Sequence, residues 1–233
     1  MQPDEKRLRD ALTRLTAEVR TERSLNADLE RVARLTVDLI EPACSASIAM
    51  LIDDVVKTRV ATDRIAFELD VIQYSTDEGP CLDALNGNVV RVGWLAGDHR
   101  FPHFAVGAGE EGIVSVLSLP IIHQDETIGT LNIYSKSRDA FGPDAEAVAR
   151  ILAAEAAIVI VWSFLFEYAH DVRDELQSDI EERADINVAQ GLLMAAENCT
   201  AEQAIQLLQN AAEASGDRLI DAALRVIEAT GGL

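Results

Sequence analysis

The chain has 233 residues, enough for one domain plus a smaller one or a single larger domain. Hydrophobic residues make up 48% of it, which excludes global disorder, and 20 basic against 40 acidic side chains leave a formal charge of −20. That sign sets the molecule as a whole against anionic membranes and bulk nucleic acid, so a nucleic-acid role requires a local exception.

Three cysteines, Cys44, Cys81 and Cys199, lie far apart without a CxxC pair. This usage fits a reducing compartment and argues against structural zinc. The N-terminal MQPDEKRLRD lacks the apolar core of a signal peptide. The longest uncharged apolar run, Ala156 to Phe166, is short for a membrane-spanning helix. The expected location is cytoplasmic.

From about Asp4 to Leu39 the chain reads as helix. Leu8, Leu12, Leu15 and Val19 repeat at four, three, four, a short coiled-coil-like seam in residues 1–24. It suits either an amphipathic surface helix or a dimer contact. Apolar positions resume at Leu29, Val32, Leu35, Leu39 and Ile40, and Pro42 ends the segment. Strand-like runs follow at Ala46–Ile52, in two short pieces within Arg59–Leu69, and at Asn88–Val92, Gly112–Leu119 and Thr127–Tyr134. Gln124, Asp125 and Glu126 read as a hairpin turn between the last two. Hairpin-spaced strands flanked by helices predict an antiparallel sheet in an α+β sandwich.

Gly142 and Pro143 open the next helix. Asp144 to Gln190 contains neither Gly nor Pro, so one helix of roughly 70 Å is expected at 1.5 Å per residue. The polar patch His170–Asp174 is where a bend or domain boundary is expected. Thr200 with Gln203 forms a capping box. Ala204, Ile205, Leu208, Ala211 and Ala212 make one apolar face, Ser215 and Gly216 interrupt it, and Leu219, Ala222, Ala223, Val226 and Ile227 make the last. Three helices this rich in Ala offer a small core.

Two stretches resemble known families. Arg183-x-x-Ile186-x-x-Ala189-Gln190-Gly191-Leu192-Leu193-Met194, with Ala204-Ile205-x-x-Leu208 and Leu219-x-x-Ala222-Ala223, resembles the ANTAR domain over residues 173–230. Glu78-Gly79-Pro80-Cys81-Leu82, Asp98-His99-Arg100-Phe101-Pro102-x-Phe104, Ile128-Gly129-x-Leu131-Asn132 and Ala140-Phe141 resemble a GAF domain over 25–168. The order is that of actinobacterial antitermination regulators. The resemblance implies an α+β GAF-like antiparallel-sheet sandwich, then a long helix and an all-α three-helix ANTAR-like module. It further implies a non-enzymatic sensor whose homodimer binds RNA hairpins.

On that resemblance the expected RNA-binding residues are Arg183, Gln190, Gly191 and Arg218. The expected ligand pocket is lined by Tyr74, Cys81, Trp94, Phe101 and Phe104, with no cofactor or metal implied and the ligand unspecified. The same residues have plainer readings. The aromatic side chains can simply fill the sandwich, the arginines can form surface salt bridges, and Gly191 can permit close helix packing instead of RNA approach. ANTAR domains usually carry Lys where Gln190 stands, an aromatic at Ile205 and often a base at Gln209. From Val172 onward four basic residues against twelve acidic ones give −8. A protein-interaction regulator with vestigial RNA binding is therefore an alternative. A thiol reductase using Cys81 is another. Gly107-x-Gly109-x-x-Gly112 formally matches a dinucleotide fingerprint, but its Glu110 and Glu111 would repel a pyrophosphate.

Overall fold

A computed structural model describes residues 24–53 and 55–230. The seam expected in residues 1–24 lies outside the described residues apart from Ser24. The chain divides into two compact units between Leu165 and Phe166.

In the first unit, Ser24 caps helix α1 (Leu25–Leu39), its hydroxyl accepting the Ala27 N–H. Strands β1 (Ser45–Ile52) and β2 (Val55–Ala61) follow. Next come α2 (Arg64–Thr76), the short α3 (Pro80–Ala84), β3 (Val90–Val92) and a 3₁₀ turn at Leu95–Gly97. Helix α4 (Pro102–Glu110), β4 (Ser115–His123) and β5 (Glu126–Ser135) complete the sheet region. The five strands pair antiparallel in the order β2-β1-β5-β4-β3.

The strand expected in the second half of Arg59–Leu69 is instead the start of α2. Asp63 decides this. Its Oδ1 accepts the Ala66 N–H at 2.9 Å, an N-cap that starts a helix where apolar alternation alone suggested a strand. Its Oδ2 accepts the Ser45 hydroxyl at 2.7 Å, fixing that helix start to β1. The expected hairpin is present and tight. His123 pairs with Glu126, and Gln124 and Asp125 adopt φ of +48° and +68°, the left-handed pair a two-residue turn requires.

The sheet separates two layers. On one side Ile48, Met50, Leu117, Leu119, Ile121, Leu131 and Ile133 pack against α1 and the first turns of α5 (Pro143–Glu197). On the other, Val90, Val92, Val116 and Tyr134 meet α2, α3 and α4 through Leu69, Ala84 and Phe104. The edge strand β2 is partly exposed and carries Lys57 and Arg59, charges that discourage edge-to-edge pairing.

Helix α5 runs through His170–Asp174 without the expected break. Counting tolerated charges, it contains a stretch long and apolar enough to cross a membrane. Ala149, Leu152, Ala156 and Ile160 of that stretch are buried against the sheet core, the position of a core helix. In the second unit, Ile186, Ala189 and Leu193 of α5 pack against α6 (Ala201–Ser215) and α7 (Leu219–Thr230). The capping box forms as expected: the Thr200 hydroxyl accepts the Gln203 N–H at 3.3 Å and Gln203 Oε1 accepts the Thr200 N–H at 2.9 Å. Gly216 ends α6 at φ +72°. The core of this unit is small, centred on buried Ala189, Leu208 and Ala223.

Candidate functional site

Successive residues of β5 alternate across the sheet. Leu131 and Ile133 enter the apolar layer, so Thr130, Asn132 and Tyr134 enter the layer beneath α2 and α3. Register places Ser47 of β1 and Ser118 of β4 on either side of Asn132. The result is a polar row across the centre of the sheet, fully buried at every position.

Asp70 of α2 reaches into this row. Its Oδ1 accepts the Tyr134 hydroxyl at 2.6 Å and the Asn132 amide at 3.3 Å. Its Oδ2 accepts Thr58 Oγ1 at 2.8 Å, and Tyr74 lies 3.0 Å from the same Thr58 oxygen. Since the single Thr58 proton goes to Asp70, Tyr74 is the donor to Thr58. Gln73 bridges the layers. Its Nε2 donates to the Tyr134 oxygen at 3.2 Å and its Oε1 accepts the Cys81 N–H at 2.8 Å. Asn132 Oδ1 and Ser118 Oγ are buried with no hydrogen-bond partner among the described residues. The network is therefore closed around Asp70 but retains one acceptor and one hydroxyl of unused capacity on adjacent strands.

No cation among the described residues neutralises Asp70. Burial raises its pKa to about 6, against the lowering effect of hydrogen bonds from Tyr134, Ser47, Thr58 and Asn132. Burial, then the nearby Asp70 charge, raises the phenols of Tyr74 and Tyr134 and lifts the Cys81 thiol to about 12. Cys81 Sγ lies 3.1 Å from Thr130 Oγ1. It is a protonated hydrogen-bonding group at neutral pH, not a thiolate.

Of the pocket residues expected from sequence, Tyr74 and Cys81 join this cluster. Phe101 and Phe104 are buried in the apolar part of the same layer. Trp94 stands apart, 45% exposed, with the Arg138 guanidinium 3.8 Å from its ring centroid. The Glu78-Gly79-Pro80 stretch has a positioning role. Glu78 Oε1 accepts the N–H of Phe104 at 2.8 Å and that of His103, capping α4 from a distant loop. The residues that sequence reasoning missed are Asp70, Gln73, Thr58, Ser47, Ser118 and Asn132.

The second unit presents a different surface. Among its four arginines, Arg173 pairs with Asp174, Arg218 with Glu182 and Asp221, and Arg225 with Asp217. Arg183 is exposed and makes no ion pair or hydrogen bond among the described residues. Asn187, Gly191 and Met194 follow it at helical spacing and are also exposed. A Cβ placed on Gly191 meets nothing within 4 Å, so close helix packing does not account for the glycine. Gln190 is held in place, its Nε2 donating to the Ala201 carbonyl at 2.7 Å.

The GAF domain family model matches residues 28–160, and the ANTAR domain model matches residues 174–227. The chain belongs to the GAF family, with an ANTAR domain following. The polar cluster thus lies in the GAF domain and the Arg183 face in the ANTAR domain. No curated protein matches the sequence.

Solved structures agree on the GAF fold. The GAF domain of an Acinetobacter phosphoenolpyruvate-protein phosphotransferase is 19% identical with a TM-score of 0.55, over 71% of this chain and 97% of its own. That of the Coxiella burnetii phosphoenolpyruvate-protein phosphotransferase is 19% identical with a TM-score of 0.52, over 72% and 99%. Reduced fRMsr of Staphylococcus aureus is 15% identical with a TM-score of 0.51, over 65% and 94%. At these identities the likeness concerns the fold alone.

Proposed function

We propose that this GAF–ANTAR chain is a cytoplasmic, signal-responsive antitermination regulator of the actinobacterial type. The GAF domain senses a small molecule or other signal through the Asp70–Asn132–Ser118 cluster. The ANTAR domains of a homodimer bind RNA hairpins. The observation that carries the RNA reading is the Arg183 face: among the described residues of this acidic module Arg183 is the arginine without an ion pair, and it stands beside a glycine with open space over its backbone. Arg183 and the Gly191 backbone supply phosphate and sugar contacts, and Gln190 lines the same turn. Arg218 contributes less, because Glu182 and Asp221 already engage it.

Titration of a tandem-hairpin RNA at several salt concentrations tests this. Affinity is expected to fall steeply with salt, and Arg183→Ala is expected to weaken binding and reduce the log–log slope by about 0.7 to 0.9 per lost phosphate contact. Absence of binding at low salt would overturn the reading. Capture of a protein partner without RNA would instead support the acidic interaction module, which the three carboxylate-paired arginines favour. The thiol-reductase reading has little chemical support, because Cys81 is buried and protonated.

A further inference from the structure

Asn132 is where the polar row of the GAF domain passes from strand to strand. Its Nδ2 donates to Ser47 Oγ of β1 and to Asp70 Oδ1, each at 3.3 Å. An ionised carboxylate only accepts hydrogen bonds, so charged Asp70 holds the amide with its NH2 group inward. That orientation leaves the other end of the amide, Oδ1, buried with no hydrogen-bond partner among the described residues. Ser118, the register partner of Asn132 on β4, has a buried hydroxyl in the same condition. An idle buried acceptor and an idle buried hydroxyl each cost stability. Here they fall on paired residues, and one of the two already touches the carboxylate of the row.

We infer that these two groups are the second half of a two-state proton site: when Asp70 takes up a proton, the Asn132 amide turns over, Asp70 donates to Asn132 Oδ1, and the amide nitrogen donates to Ser118 Oγ. The turn is a rotation about the last side-chain bond and exchanges two ends of nearly equal size, so the packed layer stays closed. Each group left idle by the charged form gains a partner in the neutral form. The inference deepens the sensing role proposed for this cluster and rests on it, with the hydrogen ion as the signal. Gln73, Cys81, Phe104 and Tyr134 close over the row with no exposed surface, which suits the smallest of signals.

Burial pushes the Asp70 carboxyl up to about 6, so it is the group that changes charge near neutrality. The titratable groups facing it keep their protons there. Tyr134 of β5 and Tyr74 of α2 are pushed up, and the Cys81 thiol of α3 is lifted to about 12. Strand β1 brings the Ser47 hydroxyl and no charge. On β2, Lys57 and Arg59 flank Thr58 but are exposed, as are Asp83 of α3 and His103 and Glu110 of α4. On α2 itself, Arg64 and Glu68 pair with each other.

An NMR titration of the full chain from about pH 4.5 to 8 tests the site, reading the Asp70 carboxyl carbon and the Asn132 side-chain NH2 together. The two signals are expected to move with one midpoint. Asp70→Asn, whose NH2 donates as protonated Asp70 would, is expected to fix the Asn132 signal at its low-pH position throughout. Ser118→Ala loses no bond of the charged form but removes the acceptor of the neutral form. It is expected to lower the midpoint by about half to one pH unit, the scale of one net hydrogen bond. A Ser118 that merely packs would leave the midpoint unmoved, and that result would overturn the inference. So would an Asn132 signal that ignores the Asp70 titration. Tandem-hairpin RNA at about pH 5.5 and 7.5 separates the two claims. Wild-type affinity is expected to differ between these conditions by more than that of Asp70→Asn, and equal differences would overturn the hydrogen ion as the signal. Coupled titration without RNA binding at either pH keeps the proton site and removes the antitermination reading. RNA binding without coupled titration does the reverse.

Discussion

Tyr134 donates its hydroxyl proton to Asp70 Oδ1 across 2.6 Å, and both residues are fully buried. The bond joins the central strand β5 to helix α2 through the only buried carboxylate in the polar row. Tyr134→Phe removes that donor and also the acceptor for Gln73. The expected cost is about 1–3 kcal/mol, the penalty for leaving a buried polar group short of a partner. Chemical denaturation of the two proteins at the same pH measures it.

The raised Asp70 pKa makes stability pH-dependent. The folded protein holds this proton more tightly than the unfolded chain, so the contribution is fully present below the ordinary value of 3.8 and lost as pH rises through about 6. Relative to Asp70→Asn, wild type is expected to lose up to about 3 kcal/mol across that window, at 1.36 kcal/mol per unit. Parallel denaturation series from pH 4 to 7 would show the two curves diverging. Parallel curves would mean that Asp70 titrates normally.

Gly191 offers a test in which stability and function move oppositely. A helical glycine with open space around it gains about 0.5–1 kcal/mol on replacement by alanine. Gly191→Ala is therefore expected to raise the melting temperature of the ANTAR domain. If RNA approaches this backbone, the same variant binds the hairpin more weakly. Unchanged affinity would remove Gly191 from the interface.

Gly79 behaves in the opposite way. Its φ is +147°, and a Cβ there falls 2.3 Å from Gln73 Oε1, the oxygen that accepts the Cys81 N–H. Gly79→Ala is expected to destabilise the GAF domain by about 2–3 kcal/mol through backbone strain and a displaced Gln73. Loss of the folded circular dichroism signal at lower denaturant concentration is the readout.

The β-branched runs, the Asp125 turn and the Thr200 box made most strands and all the C-terminal helices legible. Helix α2 was not, because Arg59 to Leu69 contains enough apolar alternation to imitate strand, and the capping by Asp63 is a single side-chain bond. The polar row escaped for a related reason. Thr130-Leu131-Asn132-Ile133-Tyr134 alternates polar and apolar, the pattern of a strand with one wet face. Here that face is covered by α2, α3 and α4. Asp70, Gln73 and Tyr74, three and four residues apart on a helix that is otherwise largely apolar, are the signal that marks a polar interior.

The alternation in β5 has a mechanical consequence. Asn132 belongs to the polar row, whereas its immediate neighbours Leu131 and Ile133 press on the layer containing α5. The thickness of one peptide unit separates the two environments. A shift of Asn132 along the strand cannot leave Leu131 and Ile133 behind, so the backbone of β5 carries any displacement in the polar row of the GAF domain to the apolar layer that holds the first turns of α5.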